Sequence, residues 1–185
     1  MVLDTGRYMS PRIASTSPPD LEFEQLFLEH YPRVVKTLLR LVGNTGQAEE
    51  LAADAFCRLH RHRDQLRSEE NLAGWLYRTA MNLGLDALRS NSRRSAREEQ
   101  ARCENAPQAN PLYELLAEEQ RQRVRNVIAQ LKPVQGQVLL MGSSGFTGKE
   151  IAAVLGLKPD SLYVLIARAK AQFEKEYVNL YGRAE

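Results

Sequence analysis

Residues Asn71–Arg94 read NLAGWLYRTAMNLGLDALRSNSRR, and the periodicity of this stretch decides the fold. At about 100° per residue, Leu72, Leu76, Thr79, Leu83 and Ala87 fall on one stripe, which predicts a helix packed along that side. Arg78, Asn82, Asp86 and Arg89 fall on a neighbouring stripe beside Trp75, and the segment runs on toward Arg93, Arg94 and Arg97. Guanidinium, carboxamide and aromatic groups in that order suit a phosphate backbone and unstacked bases. A solvated helix face with a buried Trp accounts for the same periodicity, so at this point both readings stand.

The rest of the chain supports a helical setting for this stretch. Its 185 residues are 43% hydrophobic but only 7% aromatic, with Leu and Ala supplying the apolar mass and few β-branched runs. That profile predicts an all-α protein of one or two small domains. A net charge of +2 excludes a polycationic tail, so affinity for nucleic acid has to come from the placement of charge. Cys57 and Cys103 stand far apart without a CxxC partner, which indicates neither a disulfide framework nor a zinc ribbon and fits a reducing cytoplasm. No apolar run reaches the roughly 18 residues of a membrane span and the N-terminus carries no secretory pattern, so the expectation is a soluble cytoplasmic protein without membrane insertion.

Residues 1–20 mix Pro, Ser, Thr and charge without period and are expected to form a disordered arm. Phe23, Leu26, Phe27, Tyr31, Val34, Val35, Leu38, Leu39 and Val42 then recur at helical spacing until Gly43-Asn44-Thr45-Gly46 breaks the run. A second helix is expected over Gln47–Leu66, with Leu51, Ala55, Phe56 and Leu59 packed and Glu49, Glu50, Ala53, Asp54 and Arg58 facing away. Residues 21–95 thus make a first domain. Residues 96–111, polar and punctuated by Pro, make a flexible linker, helical at its start.

The second domain, residues 112–185, opens with a helix stopped at Lys132-Pro133, followed by a short helix ending near Gly142. Thr147 and Glu150 form a T-x-x-E capping box ahead of Ile151, Ala152, Val154 and Leu155, and Gly156 closes that helix. Pro159 sits at the first position of a last helix reaching about Tyr181. Two short helices around a Gly turn are a helix-turn-helix layout, a spacing that bundles without DNA also use.

Several motifs together resemble the extracytoplasmic-function (ECF) subfamily of bacterial RNA polymerase sigma factors. Trp75, Leu76, Tyr77, Arg78, Ala80, Asn82, Asp86 and Arg89 match W-L-Y-R-x-A-x-N-x-x-x-D-x-x-R, AEELAADAF at Ala48–Phe56 is similar to A-E-D-L-x-Q-E-x-F, and GKEIAAVLGL at Gly148–Leu157 to x-E-E-I-A-x-x-L-G-I. The resemblance implies a region 2 bundle and a region 4 helix-turn-helix joined by a flexible linker. It implies core RNA polymerase as partner, through the clamp helices of its largest subunit and its flap region, together with promoter DNA and an anti-sigma protein, and no cofactor. Glu49, Glu50, Leu51, Asp54 and Phe56 would then face polymerase, with Ala53 in place of the usual Gln. Leu66, Arg67, Ser68 and Asn71, with Asn82, would hold a base flipped from the minus-ten element, while Trp75 also belongs to the DNA-binding set and Arg78, Arg89, Arg93 and Arg94 follow the backbone. Holding an extruded base costs a few kcal/mol, which a shaped polar pocket can offset.

The last helix departs from the family's pattern. Where a Lys, a Ser and an Arg usually read the minus-thirty-five element, this chain has Tyr163, Val164 and Leu165, which removes Arg–guanine readout there. Backbone-led DNA contact through Thr147, Lys158, Ser161, Tyr163, Arg168 and Lys170, an apolar face for a partner protein or a second copy, and a divergent packing of the domain all remain open. A contiguous Leu-Tyr-Val-Leu-Ile run is expected in a core.

An enzyme is not indicated. Cys57, His60 and His62 lie on one helix with the two histidines about 200° apart, so they cannot share a metal. No phosphate loop or nucleophile–base arrangement accompanies them. The expected function is a transcription initiation factor that binds core polymerase, recognises a promoter and opens its minus-ten element. The alternatives are a sigma-like decoy or regulator that has lost promoter reading, and a plain helix-turn-helix repressor.

Overall fold

The computed structural model describes residues 18–66, 72–101 and 112–182. Among the described residues the chain is all α-helical, with α1 (Pro18–Val42), α2 (Thr45–Leu66) and α3 (Leu72–Ala101) forming one bundle. A second is built from α4 (Leu112–Gln130), α5 (Pro133–Ser143), α6 (Gly148–Leu155) and α7 (Pro159–Tyr181). α1 begins inside the segment expected to be an arm, and α3 continues into the expected linker. The remainder of the arm and linker lies outside the described residues.

Local chemistry sets the helix ends. The turn after α1 needs Gly43 at φ +73, a left-handed conformation that a side chain resists. Asn44 then caps α2, its side-chain oxygen accepting from the Gln47 amide at 2.9 Å, so Thr45 and Gly46, expected in the break, belong to the helix. The Thr147–Glu150 capping box forms as expected, and Gly156 closes α6 at φ +65. Pro133 and Pro159 open α5 and α7, where a missing N–H costs nothing.

Val34, Leu38 and Leu41 of α1, Ala48, Ala52, Ala55 and Leu59 of α2, and Leu76, Ala80, Met81 and Leu85 of α3 fill the first core. The α2 alanines allow close helix approach. Gly84 does the same for α3, since a Cβ there would lie 2.6 Å from Leu41 Cδ2 and 2.7 Å from Leu38 Cδ2. The buried side of α3 is therefore not the expected stripe. It runs through Leu76, Tyr77, Ala80, Met81, Leu85 and Leu88, while Leu72, Thr79, Leu83 and Ala87 are only half-buried. The shift has a physical cause: α3 packs on α1 and α2 along one flank and on α4, α5 and α6 along the other, so its apolar arc is wider than one stripe.

The two bundles consequently share a seam. Tyr77 meets the Phe146 ring edge-on at 4.8 Å. Gly136 brings α5 against α3, where an added Cβ would sit 3.2 Å from Leu85 Cδ2. Arg125 of α4, 6% exposed, lays its guanidinium against Gly43 and bonds to Glu118 and Gln122.

Candidate nucleic-acid interface

On α3, Arg78 and Arg89 of the stripe expected to meet DNA are engaged within the protein. Arg78 donates from Nε and Nη2 to the Val154 carbonyl at 3.0 and 2.6 Å. Arg89 donates to the Ala129 carbonyl at 3.3 Å and the Leu131 carbonyl at 3.1 Å. From α1, Arg40 donates to the Ser143 carbonyl. These acceptors lie at the C-terminal ends of α6, α4 and α5, where carbonyls lack intrahelical partners and the helix dipole is negative. The first bundle thus caps three helices of the second with arginine side chains, and the helix ends occupy groups that would suit phosphate.

Two further contacts lock the same seam. Asn82 Oδ1 accepts from Gln137 Nε2 at 2.6 Å. Arg33 pairs with Glu150 at 2.8 Å and stacks 3.7 Å over the Phe146 ring. The Arg33 hydrogen bond, with the Thr147 amide second, pulls the Glu150 carboxyl down to about 2. Burial pushes the neighbouring Tyr77 phenol up, against the opposing effect of Arg33.

Beside the seam, Trp75, Thr79, Asn82, Leu83 and Asp86 of α3 line a cleft of about 260 Å³ with Arg58 and His62 of α2. It offers an indole face and amide, hydroxyl and carboxylate groups, the chemistry that stacks a flat ring and bonds its edge. Arg93 stays exposed, donating to the Arg89 carbonyl at 3.2 Å; Arg94 is exposed as well. Leu66 is 8% exposed and belongs to the core rather than to a base pocket. Arg67, Ser68 and Asn71 lie outside the described residues.

On α2, Glu49 and Glu50 are exposed and Asp54 is half-buried, accepting from Arg58 Nε at 3.0 Å and Nη2 at 2.9 Å. Leu51 is half-buried. Phe56, expected to face a partner, is 3% exposed within a cluster with Phe23, Phe27 and Tyr31. Burial of its ring holds α1 on α2.

In the second bundle Thr147 is spent on its cap, its amide donating to Glu150 Oε2 at 2.7 Å, so its main contribution is structural. Lys158, Ser161, Tyr163, Arg168 and Lys170 are exposed. The run expected in a core is split: Leu162 is buried and Leu165 and Ile166 are half-buried, but Tyr163 is 70% and Val164 50% exposed. Helical periodicity turns these two outward, and the second bundle packs without them. Sequence reasoning missed Arg33, Arg40, Gln137 and Phe146. The lack of an acidic residue three or four positions from Arg40 was a faint signal that it finds its partner elsewhere.

No group of three or more His, Cys, Asp or Glu among the described residues could hold a metal. No helix there is long and apolar enough to cross a membrane.

The Sigma-70 region 2 profile matches residues 26–94 and the Sigma-70, region 4 profile residues 121–173. The chain is 29% identical over 154 residues to the RNA polymerase sigma factor CarQ of Myxococcus xanthus, covering 83% of this chain and 86% of that protein. It is 26% identical over 168 residues to the ECF sigma-E factor of Escherichia coli K12, covering 85% and 88%. Against ECF sigma factor SigE of Mycolicibacterium smegmatis, 28% identical, it spans 59% of the relative's length. Among solved structures, the fold resembles the sigma factor RpoE in its complex with the anti-sigma factor NepR from Bartonella quintana, with a TM-score of 0.50 at 21% identity over 84% of this chain and 96% of that one. With both conserved sigma regions present in order and relatives matched across most of its length, the chain belongs to the ECF group of sigma factors, the proteins that direct transcription initiation.

Proposed function

We propose that this protein binds core RNA polymerase through the acidic outer face of α2, recognises promoter DNA through α3 and α7, and opens the minus-ten element with α3. The observation that carries the reading is the α3 cleft, which Trp75 and Asn82 line together, with Arg78, Arg89, Arg93 and Arg94 on the same helix. A base leaving the stack finds there an aromatic face and a carboxamide, and the arginines supply the adjoining backbone charge. Glu49, Glu50 and Asp54 present the carboxylates for a basic polymerase surface. The protein works in the cytoplasm, and an anti-sigma protein is its natural antagonist.

In the arrangement described, Arg78, Asn82 and Arg89 are bonded to the second bundle, so the bundles must part before α3 can take up melted DNA. This occlusion also favours a second reading, a sigma-like regulator that binds polymerase without opening promoters.

Promoter opening separates the two. Holoenzyme assembled with Asn82→Ala should bind core polymerase as the wild type does and retain duplex binding, while losing permanganate-reactive thymines at the minus-ten element and run-off transcript. Full opening by Asn82→Ala would remove the cleft from the mechanism. Core binding by the wild type without any promoter-specific transcript would establish the regulator instead.

A further inference from the structure

The outward face of α7 has an unusual chemistry for a helix that meets duplex DNA. Leu162 and Ala169 are buried and Leu165, Ile166 and Phe173 pack beside them. At about 100° per residue the direction opposite this core runs through Asp160, Val164, Ala167 and Ala171, with Tyr163 and Lys170 along one edge and Ser161 and Arg168 along the other. All eight are exposed, so this face is accessible, whereas Arg78, Asn82 and Arg89 of α3 are bonded to the second bundle.

The recognition helix of a helix-turn-helix presents the residues of its N-terminal half to base edges in the major groove. Guanine is read there by Arg or Lys and adenine by Asn or Gln, as bidentate pairs. From Asp160 to Ala167 the chain has none of these four residue types. It offers instead the Val164 methyls, the Ala167 methyl and the Tyr163 ring, groups whose specific complement in the groove is the C5-methyl of thymine, while the Ser161 and Tyr163 hydroxyls, each both donor and acceptor, can bond to more than one base. Asp160, in the first turn, can accept only from an amino group, on cytosine or adenine. Lys158, Arg168 and Lys170 flank the apolar centre with positive charge, the placement that suits the phosphates on either side of a groove.

We propose that α7 reads its upstream promoter element through thymine methyl groups seated on Tyr163, Val164 and Ala167, with Lys158, Arg168 and Lys170 on the backbone. The element it selects is rich in A·T pairs and lacks an obligatory guanine. This specificity rests on the initiation-factor reading above and names what one of its surfaces recognises.

The test uses holoenzyme formed from the full chain and core polymerase. Promoters are first selected from a randomised duplex library, and each thymine of the upstream element is then replaced singly by uracil, which removes only the C5-methyl. At two or more positions binding should weaken about fourfold per methyl, the value of one buried methylene. Val164→Ala and Tyr163→Ala, both at exposed positions that leave folding intact, should each abolish the thymine–uracil difference at one of those positions. The slope of log affinity against log salt should stay unchanged, because no phosphate contact is lost. Equal binding of thymine and uracil at every upstream position overturns the proposal, as does selection of an element fixed by guanines. Val164→Ala and Tyr163→Ala variants that keep promoter affinity but lose affinity for core polymerase overturn it too, assigning the face to a protein contact. If holoenzyme selects no promoter, the initiation reading falls and takes this inference with it. If promoters are selected and opened but uracil is neutral, only the thymine readout falls.

Discussion

Arg33→Ala should make the isolated protein a better ligand for single-stranded minus-ten DNA, although it removes a positive charge. Arg33 is outside the proposed DNA stripe and joins the bundles through Glu150 at 2.8 Å and the Phe146 ring at 3.7 Å. Both partners of the ion pair are partly exposed, at 35% and 40%, which limits it to about 0.2–1 kcal/mol. The cation–π contact adds about 0.5–1 kcal/mol. Together the loss is about 1–2 kcal/mol of seam stability, or a roughly 5- to 30-fold shift toward the parted state. Where the closed form dominates, apparent affinity scales with the fraction of open molecules, so affinity for a labelled oligonucleotide should rise by that factor in fluorescence anisotropy. Small-angle scattering should show a larger radius of gyration. Simple charge removal predicts the opposite sign. Unchanged or weaker binding at unchanged dimensions would refute the idea that the seam withholds α3 from DNA.

Other perturbations address the same architecture. The Glu150 carboxyl sits at about 2 in the folded chain, below the ordinary value near 4.3. Its contribution is fully present above about pH 4.3 and is lost as the pH falls through 2; solvent screening of the pair holds it to about 1 kcal/mol. Chemical denaturation of wild type and Glu150→Gln should therefore differ at pH 7 and converge toward pH 2. Gly43→Ala places a side chain at φ +73 with its Cβ 3.0 Å from the buried Arg125 guanidinium, and urea titration should register a loss of about 2 kcal/mol. Leu162→Ala, at a side chain 1% exposed, should cost about 2–5 kcal/mol and melt the second bundle ahead of the first in hydrogen exchange.

Helix existence was legible because local chemistry marks it. The Thr147–Glu150 box, Gly156, Pro133 and Pro159 each act within a few residues, and each forms where the sequence places it. What periodicity conveys is that a face is apolar, and it is silent about how many neighbours that face meets. α3 meets five helices, so Tyr77, Met81 and Leu88 joined its core while Leu72, Leu83 and Ala87 moved toward the edge. The split of the α7 run follows from the same limit: five apolar residues in succession look uniform, but a helix must turn two of them outward. Partners of Arg78 and Arg89 were illegible for a different reason. A main-chain carbonyl has no residue type, so no sequence pattern announces that it will be the acceptor.

That anonymity bears on how such a protein can diverge. The bonds from Arg78, Arg89 and Arg40 end on the backbone at Val154, Ala129, Leu131 and Ser143, and substitution replaces side chains while the carbonyl stays. Those bonds are written in one half of the chain only, in three arginine codons. Under the proposed function, the outward residues of α7 can drift to new promoters without unpicking them, whereas a single codon change at Arg78 alters the seam and the proposed opening surface together. Target choice is free to wander; restraint and activity are inherited as one trait.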